Sequence, residues 1–144
     1  PVNVTSLLSL VNEAVDRPLI LVVDDDRDLC SNLWDLLHER GYRVGLAYDA
    51  EDASHRLTET PFQVVLLDVK LPDGEASEVF HKIRELNPDA HTVLITGESA
   101  AAGDLIQQIL SEGADDVQYK PFNVPSLLEA LGRLIKNHPK RRDR

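Results

Sequence analysis

Three stretches of this chain are apolar almost without interruption, and each ends abruptly on a polar residue. Leu19-Ile-Leu-Val-Val runs into Asp24, Phe62-Gln-Val-Val-Leu-Leu into Asp68, and Thr92-Val-Leu-Ile into Thr96. A strand with one wet face alternates apolar and polar residues, whereas a strand buried on both faces reads as a continuous apolar run. These runs therefore predict the central strands of a parallel sheet covered by helices on both sides. Tyr42–Ala47 and Asp116–Tyr119 read as two further strands.

The segments between them have helical spacing. Leu29, Leu33, Leu36 and Leu37 mark one helix face, closed by Gly41. Ala50–Leu57 reads as a short helix. Val79, Phe80, Ile83 and Leu86 line a third helix that stops at Pro88. Leu105, Ile106, Ile109 and Leu110 line a fourth, closed by Gly113. Asn123 caps the last helix, which tolerates Pro125 in its first turn and carries Leu127, Leu128, Leu131, Leu134 and Ile135. Five β-then-α units with short links predict right-handed crossovers and a three-layer α/β sandwich.

The 144 residues suit a single domain, and 42% hydrophobic residues suffice for a core. With 15 Lys+Arg against 25 Asp+Glu the formal net charge is −10. Such a balance argues against nucleic acid or an anionic membrane as the main partner and leaves room for a divalent cation. Cys30 is alone, so no internal disulfide forms, and no Cys/His spacing suggests zinc. No apolar run approaches the roughly 18–20 residues of a membrane span and no signal peptide opens the chain, which fits a cytoplasmic protein. Residues 1–17 stand apart: Leu7, Leu8, Val11 and Val15 follow Thr5 at helical spacing, as in a connector helix or tail. With no Met in the chain, this lead-in reads as a piece of a longer protein. Residues 138–144 form a small basic tail.

In open parallel sheets the ligand site lies beyond the carboxyl ends of the strands. The first strand delivers Asp24, Asp25 and Asp26 there, the third Asp68, the fourth Thr96 and Gly97, and the fifth Lys120 and Pro121. The second delivers only Ala47 and Tyr48. Each residue alone has an ordinary explanation. Asp26 suits a helix cap, Asp68 and Thr96 suit turns, and Lys120 suits solvent. Together they place several carboxylates at one sheet end, where they repel one another unless a hard cation takes their oxygens.

Placed on those ends, the segments Leu19-Ile-Leu-Val-Val-Asp-Asp-Asp, Val64-Val-Leu-Leu-Asp-Val-Lys-Leu-Pro, Thr92-Val-Leu-Ile-Thr-Gly, Glu112-Gly-Ala-Asp-Asp and Tyr119-Lys-Pro-Phe resemble the receiver domains of two-component response regulators, the bacterial chemotaxis regulator among them. The resemblance covers residues 18–137. It implies a flavodoxin-like fold with a five-stranded parallel sheet in order 2-1-3-4-5 and five helices. It implies that Asp68 accepts a phosphoryl group from the histidine of a histidine kinase or histidine phosphotransfer domain. Asp24, Asp25, Asp68 and the Lys70 backbone carbonyl would hold Mg²⁺ or Mn²⁺, with Asp24 acting largely through water. Thr96, Gly97 and Lys120 would bind the phosphoryl group, Lys120 pairing first with the Asp68 carboxylate. The Lys120–Pro121 peptide would be cis. On its own chemistry, the Asp68 carboxylate needs no help to ionise at neutral pH. The domain would pass its signal to a downstream output domain or protein and is a phosphoacceptor, not an enzyme with a separate substrate. A homodimer through the fourth helix, fifth strand and fifth helix is compatible with it.

Three positions depart from the family pattern. Val117 stands where the family usually has an aromatic switch residue, with Tyr119 beside Lys120 instead. Ala76 stands where a glycine is common; a left-handed backbone there would strain alanine unless Gly74 takes the turn. Lys70 lies two residues after the phosphoacceptor, from where its side chain can reach the autodephosphorylation reaction, in a direction left open. Two rival readings stand beside the working receiver. One is a degenerate receiver that only docks a partner. The other is a haloacid-dehalogenase-like phosphatase using Asp24 and Asp26, but Asp28 then breaks its pattern and Asp68 has no role. No Gly-rich phosphate loop follows any strand. The five histidines are scattered without a phosphodonor motif, Cys30 suits a small apolar helix position, and helical phase leaves Trp34 either in the core or exposed.

Overall fold

A computed structural model describes residues 17–72, 75–97 and 103–138. The connector expected over 1–17 falls outside these except for Arg17, as do Asp73, Gly74 and the basic tail beyond His138. The described residues form β1 (Leu19–Val23), α1 (Arg27–Glu39), β2 (Arg43–Ala47), α2 (Ala50–Glu59) and β3 (Val64–Asp68). They continue through α3 (Glu75–Leu86), β4 (His91–Thr96), α4 (Gly103–Ser111), β5 (Asp116–Tyr119) and α5 (Val124–Lys136). The five strands form one sheet in order β2-β1-β3-β4-β5, and every pairing is parallel. The α/β architecture predicted from the apolar runs is therefore the one observed.

Alternate residues of each strand feed two separate cores, as a period of two dictates. Leu21, Val23, Val65, Leu67 and Leu94 face α2, α3 and α4. Ile20, Val22, Leu66, Val93 and Ile95 face α1 and α5. The central strands β1, β3 and β4 are buried throughout except for Leu19, whereas the edge strands β2 and β5 are mostly half-exposed. Edge strands have a neighbour on one side only, which is why their sequence signal is weaker.

The helix ends follow local chemistry. Asp26, Asp49 and Asn123 cap α1, α2 and α5, each side chain accepting a backbone N–H three residues on. Gly41 and Gly113 take φ of 87° and 122°, as glycines that end helices do. Four boundaries move from those expected. β2 begins at Arg43, β3 at Val64 and β4 at His91, and α2 runs on to Glu59. Phe62, expected in the third strand, precedes it and still packs into the α2–α3 side core. Ala76 lies in the first turn of α3, fully buried, so its backbone is helical and needs no glycine.

Candidate functional site

The strand register brings the predicted residues to one end of the sheet. Val23 lies level with Ala47 and Leu67, Asp68 with Ile95, and Thr96 with Tyr119. Backbone bonds carry the alignment past the strands: Asp24 N–H donates to Ala47 O at 3.0 Å, Val69 N–H to Ile95 O at 3.0 Å, and Lys120 N–H to Thr96 O at 2.8 Å.

Oxygens of Asp24, Asp25 and Asp68 lie within 4.8 Å of one another. Asp24 is fully buried, Asp68 is 2% exposed, and Asp25 opens to solvent. One oxygen of each buried carboxylate is tied down locally. Asp26 N–H donates to Asp24 Oδ1 at 2.9 Å, and Lys70 N–H to Asp68 Oδ1 at 3.0 Å. Lys120 spans the other two: its Nζ is 2.8 Å from Asp24 Oδ2 and 3.8 Å from Asp68 Oδ2. The expected first partner of Lys120 was Asp68, but Asp24 is the nearer one. Asp24 has no exposure to water and its second oxygen needs a donor, so the ammonium goes there first.

Burial drives the titration of the site. Desolvation pushes the Asp68 carboxyl up to about 6; the Lys70 N–H pulls against this, and the negative charges of Asp24 and Asp25 add to it. Ionisation of Asp68 at neutral pH thus has a far smaller margin than its sequence suggested. Burial alone would lower the Lys120 ammonium, but its hydrogen bond to Asp24 and the charges of Asp68 and Asp24 carry it upward. Three carboxylates, two of them buried, with one ammonium among them make a donor set of hard oxygens with excess negative charge. It fits a hard divalent cation such as Mg²⁺.

The remaining residues fall into place around this cluster. Thr96 is buried, and its hydroxyl donates to Gly97 O at 2.8 Å, so it must rotate to reach any other acceptor. Lys120–Pro121 is cis. Asp26 is exposed and spends its side chain on Leu29 N–H as the α1 cap, not on the cluster, which disfavours the phosphatase reading that needed it. Val117 packs against the α2–α3–α4 core and Tyr119, on the same strand face, is 60% exposed. Cys30 is buried as expected, but it also donates to the Asp24 backbone carbonyl at 3.3 Å, and desolvation with the nearby Asp24 charge pushes its thiol up to about 12. Trp34 is 38% exposed and stacks on His38. Sequence reasoning assigned nothing to Tyr48. Its ring lies under the Arg27 guanidinium, 4.0 Å away, and ties the end of β2 to the start of α1. An aromatic directly after a strand end, with Arg at the first position of the neighbouring helix, was the available signal.

The Response regulator receiver domain family matches residues 20–132. The chain is 34% identical over 116 residues to the transcriptional regulatory protein ZraR of Salmonella typhimurium, covering 81% of this chain and 26% of that protein. A solved response regulator receiver domain protein (CheY-like) from Methanospirillum hungatei is 30% identical with a TM-score of 0.76, covering 85% of this chain and 96% of that one. The response regulator TrrA of Thermotoga maritima, solved in complex with Mg²⁺ and BeF, is 32% identical with a TM-score of 0.69, covering 81% and 98%. A five-stranded parallel sheet in this order, with an acidic cluster and a lysine at its carboxyl end, defines the receiver class of signalling domains. This chain belongs to the response regulator receiver domain family. Receiver domains bind Mg²⁺ at an acidic pocket and interact with histidine kinases and output domains. The chain spans between about a quarter and a half of the length of the curated relatives it matches. No helix among the described residues is long and apolar enough to cross a membrane.

Proposed function

We propose that residues 18–137 act as a phosphoaccepting switch in which Asp68 receives a phosphoryl group from a histidine of a partner kinase or phosphotransfer domain. The observation that carries this reading is the convergence of Asp24, Asp25 and Asp68 within 4.8 Å, with Lys120 reaching two of them. Asp68 Oδ2 attacks phosphorus, the new O–P bond forms as the P–N bond to the partner imidazole breaks, and the imidazole nitrogen leaves with the bonding pair. Asp68 Oδ1 stays fixed by Lys70 N–H, so the carboxylate is oriented for the attack. Asp24, Asp25, Asp68 and the Lys70 carbonyl would hold Mg²⁺, or Mn²⁺ in its place, which would supply charge neutralisation for the transferring oxygens.

Lys120 lies within 3.8 Å of Asp68 and moves its ammonium to the phosphoryl oxygens. The Thr96 hydroxyl leaves Gly97 O for the same oxygens, and the Gly97 N–H adds a second donor. The hydroxyl rotation is the smallest movement by which the site can report its state. With Val117 filling core space, any aromatic part of the switch belongs to Tyr119 on the surface. That face, α4–β5–α5, is where a second copy would pair. The transcriptional regulators among the relatives are longer proteins, which supports an output domain downstream and a cytoplasmic setting.

The test is intact-protein mass spectrometry after incubation with acetyl phosphate. A single added phosphoryl group that requires Mg²⁺ and is absent in Asp68→Asn is the expected result. An equal adduct on Asp68→Asn overturns the assignment. Beryllofluoride binding without a phosphoryl adduct marks a short-lived phosphoprotein, whereas neither an adduct nor beryllofluoride binding favours the docking-only receiver.

A further inference from the structure

The open edge of the sheet carries an apolar strip that the described helices leave half covered. Tyr42, Val44, Leu46 and Tyr48 alternate along β2 and its two flanks on the α1 side, and all four are only half-buried. Their counterparts one strand in, Ile20 and Val22, are wholly buried. The difference is one of position, since among the described residues no strand lies beyond β2. Arg27, Trp34 and His38 share one side of α1, at helical spacing. Arg27 lies on the Tyr48 ring, so this side of α1 looks toward β2. Trp34, exposed and stacked on His38 with ring centroids 4.6 Å apart, carries the strip down toward the start of β2.

The chain enters the domain at that same end. Arg43 opens β2; its backbone N–H donates to Pro18 O at 2.8 Å and its Nε to Arg17 O at 2.9 Å. In the residues before Arg17, Leu7, Leu8, Val11 and Val15 share one helical face, while Ser6, Ser9, Asn12 and Glu13 take the other. An amphipathic face of this kind is stable when it is buried against another element. A helix over 5–15 is about 16 Å long, and a five-residue strand such as β2 about 17 Å. Asp16, Arg17 and Pro18 make a link of ordinary length between a helix and the strand that follows it.

We propose that residues 5–15 dock on this strip as a helix, with Leu8, Val11 and Val15 against Trp34 and the α1 side of β2, closing the open flank of the sheet. The lead-in is then part of the surface of the domain and not a free tail. It bears on α1, the helix that Asp26 caps directly after Asp24 and Asp25.

Trp34 is the single tryptophan, so the fluorescence of the full chain reads this strip directly. Val11→Asp puts a charge into the docked face, where burying it is costly. The expected result is a red shift of the Trp34 emission maximum and stronger quenching by acrylamide. Glu13→Gln, on the opposite face, leaves both as in the wild type. A cooperative urea transition in each variant shows that a shift is not loss of the fold. Emission and quenching of Val11→Asp equal to those of the wild type overturn the proposal. A shift of the same size in Glu13→Gln overturns it too, because the stripe then has no special place. Wild-type emission that reddens on dilution assigns the strip to a second copy of the chain and overturns the proposal as well.

Discussion

The two ends of β4 carry polar clusters of opposite character. At the amino end, His91 is 5% exposed, its Nε2 lies 3.2 Å from Asn137 O and its Nδ1 3.2 Å from Asp115 Oδ1. Asp115 Oδ2 in turn accepts Thr92 N–H at 2.8 Å. One ring and one carboxylate lie together there; the ring's Nε2 is hydrogen-bonded, its Nδ1 faces the carboxylate without a hydrogen bond, and the result joins β4 to the loop before β5 and to the end of α5. At the carboxyl end, three carboxylates share one close ammonium, and burial raises Asp68 well above an ordinary carboxylate. A polar pair that ties separate elements to one strand end holds a fold together. Buried charge in excess of its partners is costly unless something else binds there. The same strand thus shows which cluster is structural and which is a site.

This contrast can be broken most severely through Lys120. Lys120→Ala leaves buried Asp24 without its ammonium and is expected to destabilise the metal-free domain by about 2–4 kcal/mol. Thermal melts should show part of that loss recovered by millimolar Mg²⁺. If the contrast is wrong, the melt will not respond to Mg²⁺. At the other end, His91→Ala should cost about 1–3 kcal/mol through lost packing and hydrogen bonding, without Mg²⁺ rescue and without loss of phosphoryl uptake. Asp68→Asn removes a destabilised charge and should raise metal-free stability at pH 7 by about 1–2 kcal/mol, in chelator-treated urea titrations, while abolishing phosphorylation.

The pH dependence sharpens the point. The folded Asp68 titrates at about 6 against 3.8 for an ordinary group, so between these values the native state keeps a proton that the unfolded chain has lost. Its contribution to stability therefore falls as pH rises from about 4 to about 6, by at most roughly 1.4 kcal/mol per pH unit. Asp68→Asn should flatten the chelator-treated profile across that window, and Mg²⁺ affinity should weaken below pH 6 as protons compete. The smallest effect is at Tyr119, where 60% exposure predicts that Tyr119→Ser changes stability by no more than about 0.5 kcal/mol in the same urea titrations.

The sequence made one of these ends far easier to read than the other. Asp24, Asp68 and Thr96 each follow an apolar run and Lys120 a short fifth strand, so strand pattern put them at a common edge. What it did not reveal was which oxygen Lys120 would choose, because Lys120 and Asp24 stand 96 positions apart and burial decides between the two acids. The His91 cluster was illegible for a similar reason: its partner carbonyl is 46 residues away at the end of α5. The concern over Ala76 came from reading a loop where a helix begins. The weak strand starts at Arg43 and Val64 reflect an edge position and a preceding core residue, Phe62, that continues the apolar pattern without joining the sheet.

Where the phosphoryl group resides is the central claim, and borohydride trapping tests it most directly. Reduction of an aspartyl phosphate leaves homoserine at the modified position, which peptide mass spectrometry locates. After treatment with acetyl phosphate and Mg²⁺, homoserine is predicted at position 68 alone. Homoserine at position 24 or 25, or an adduct-bearing protein that yields none at 68, would contradict the account.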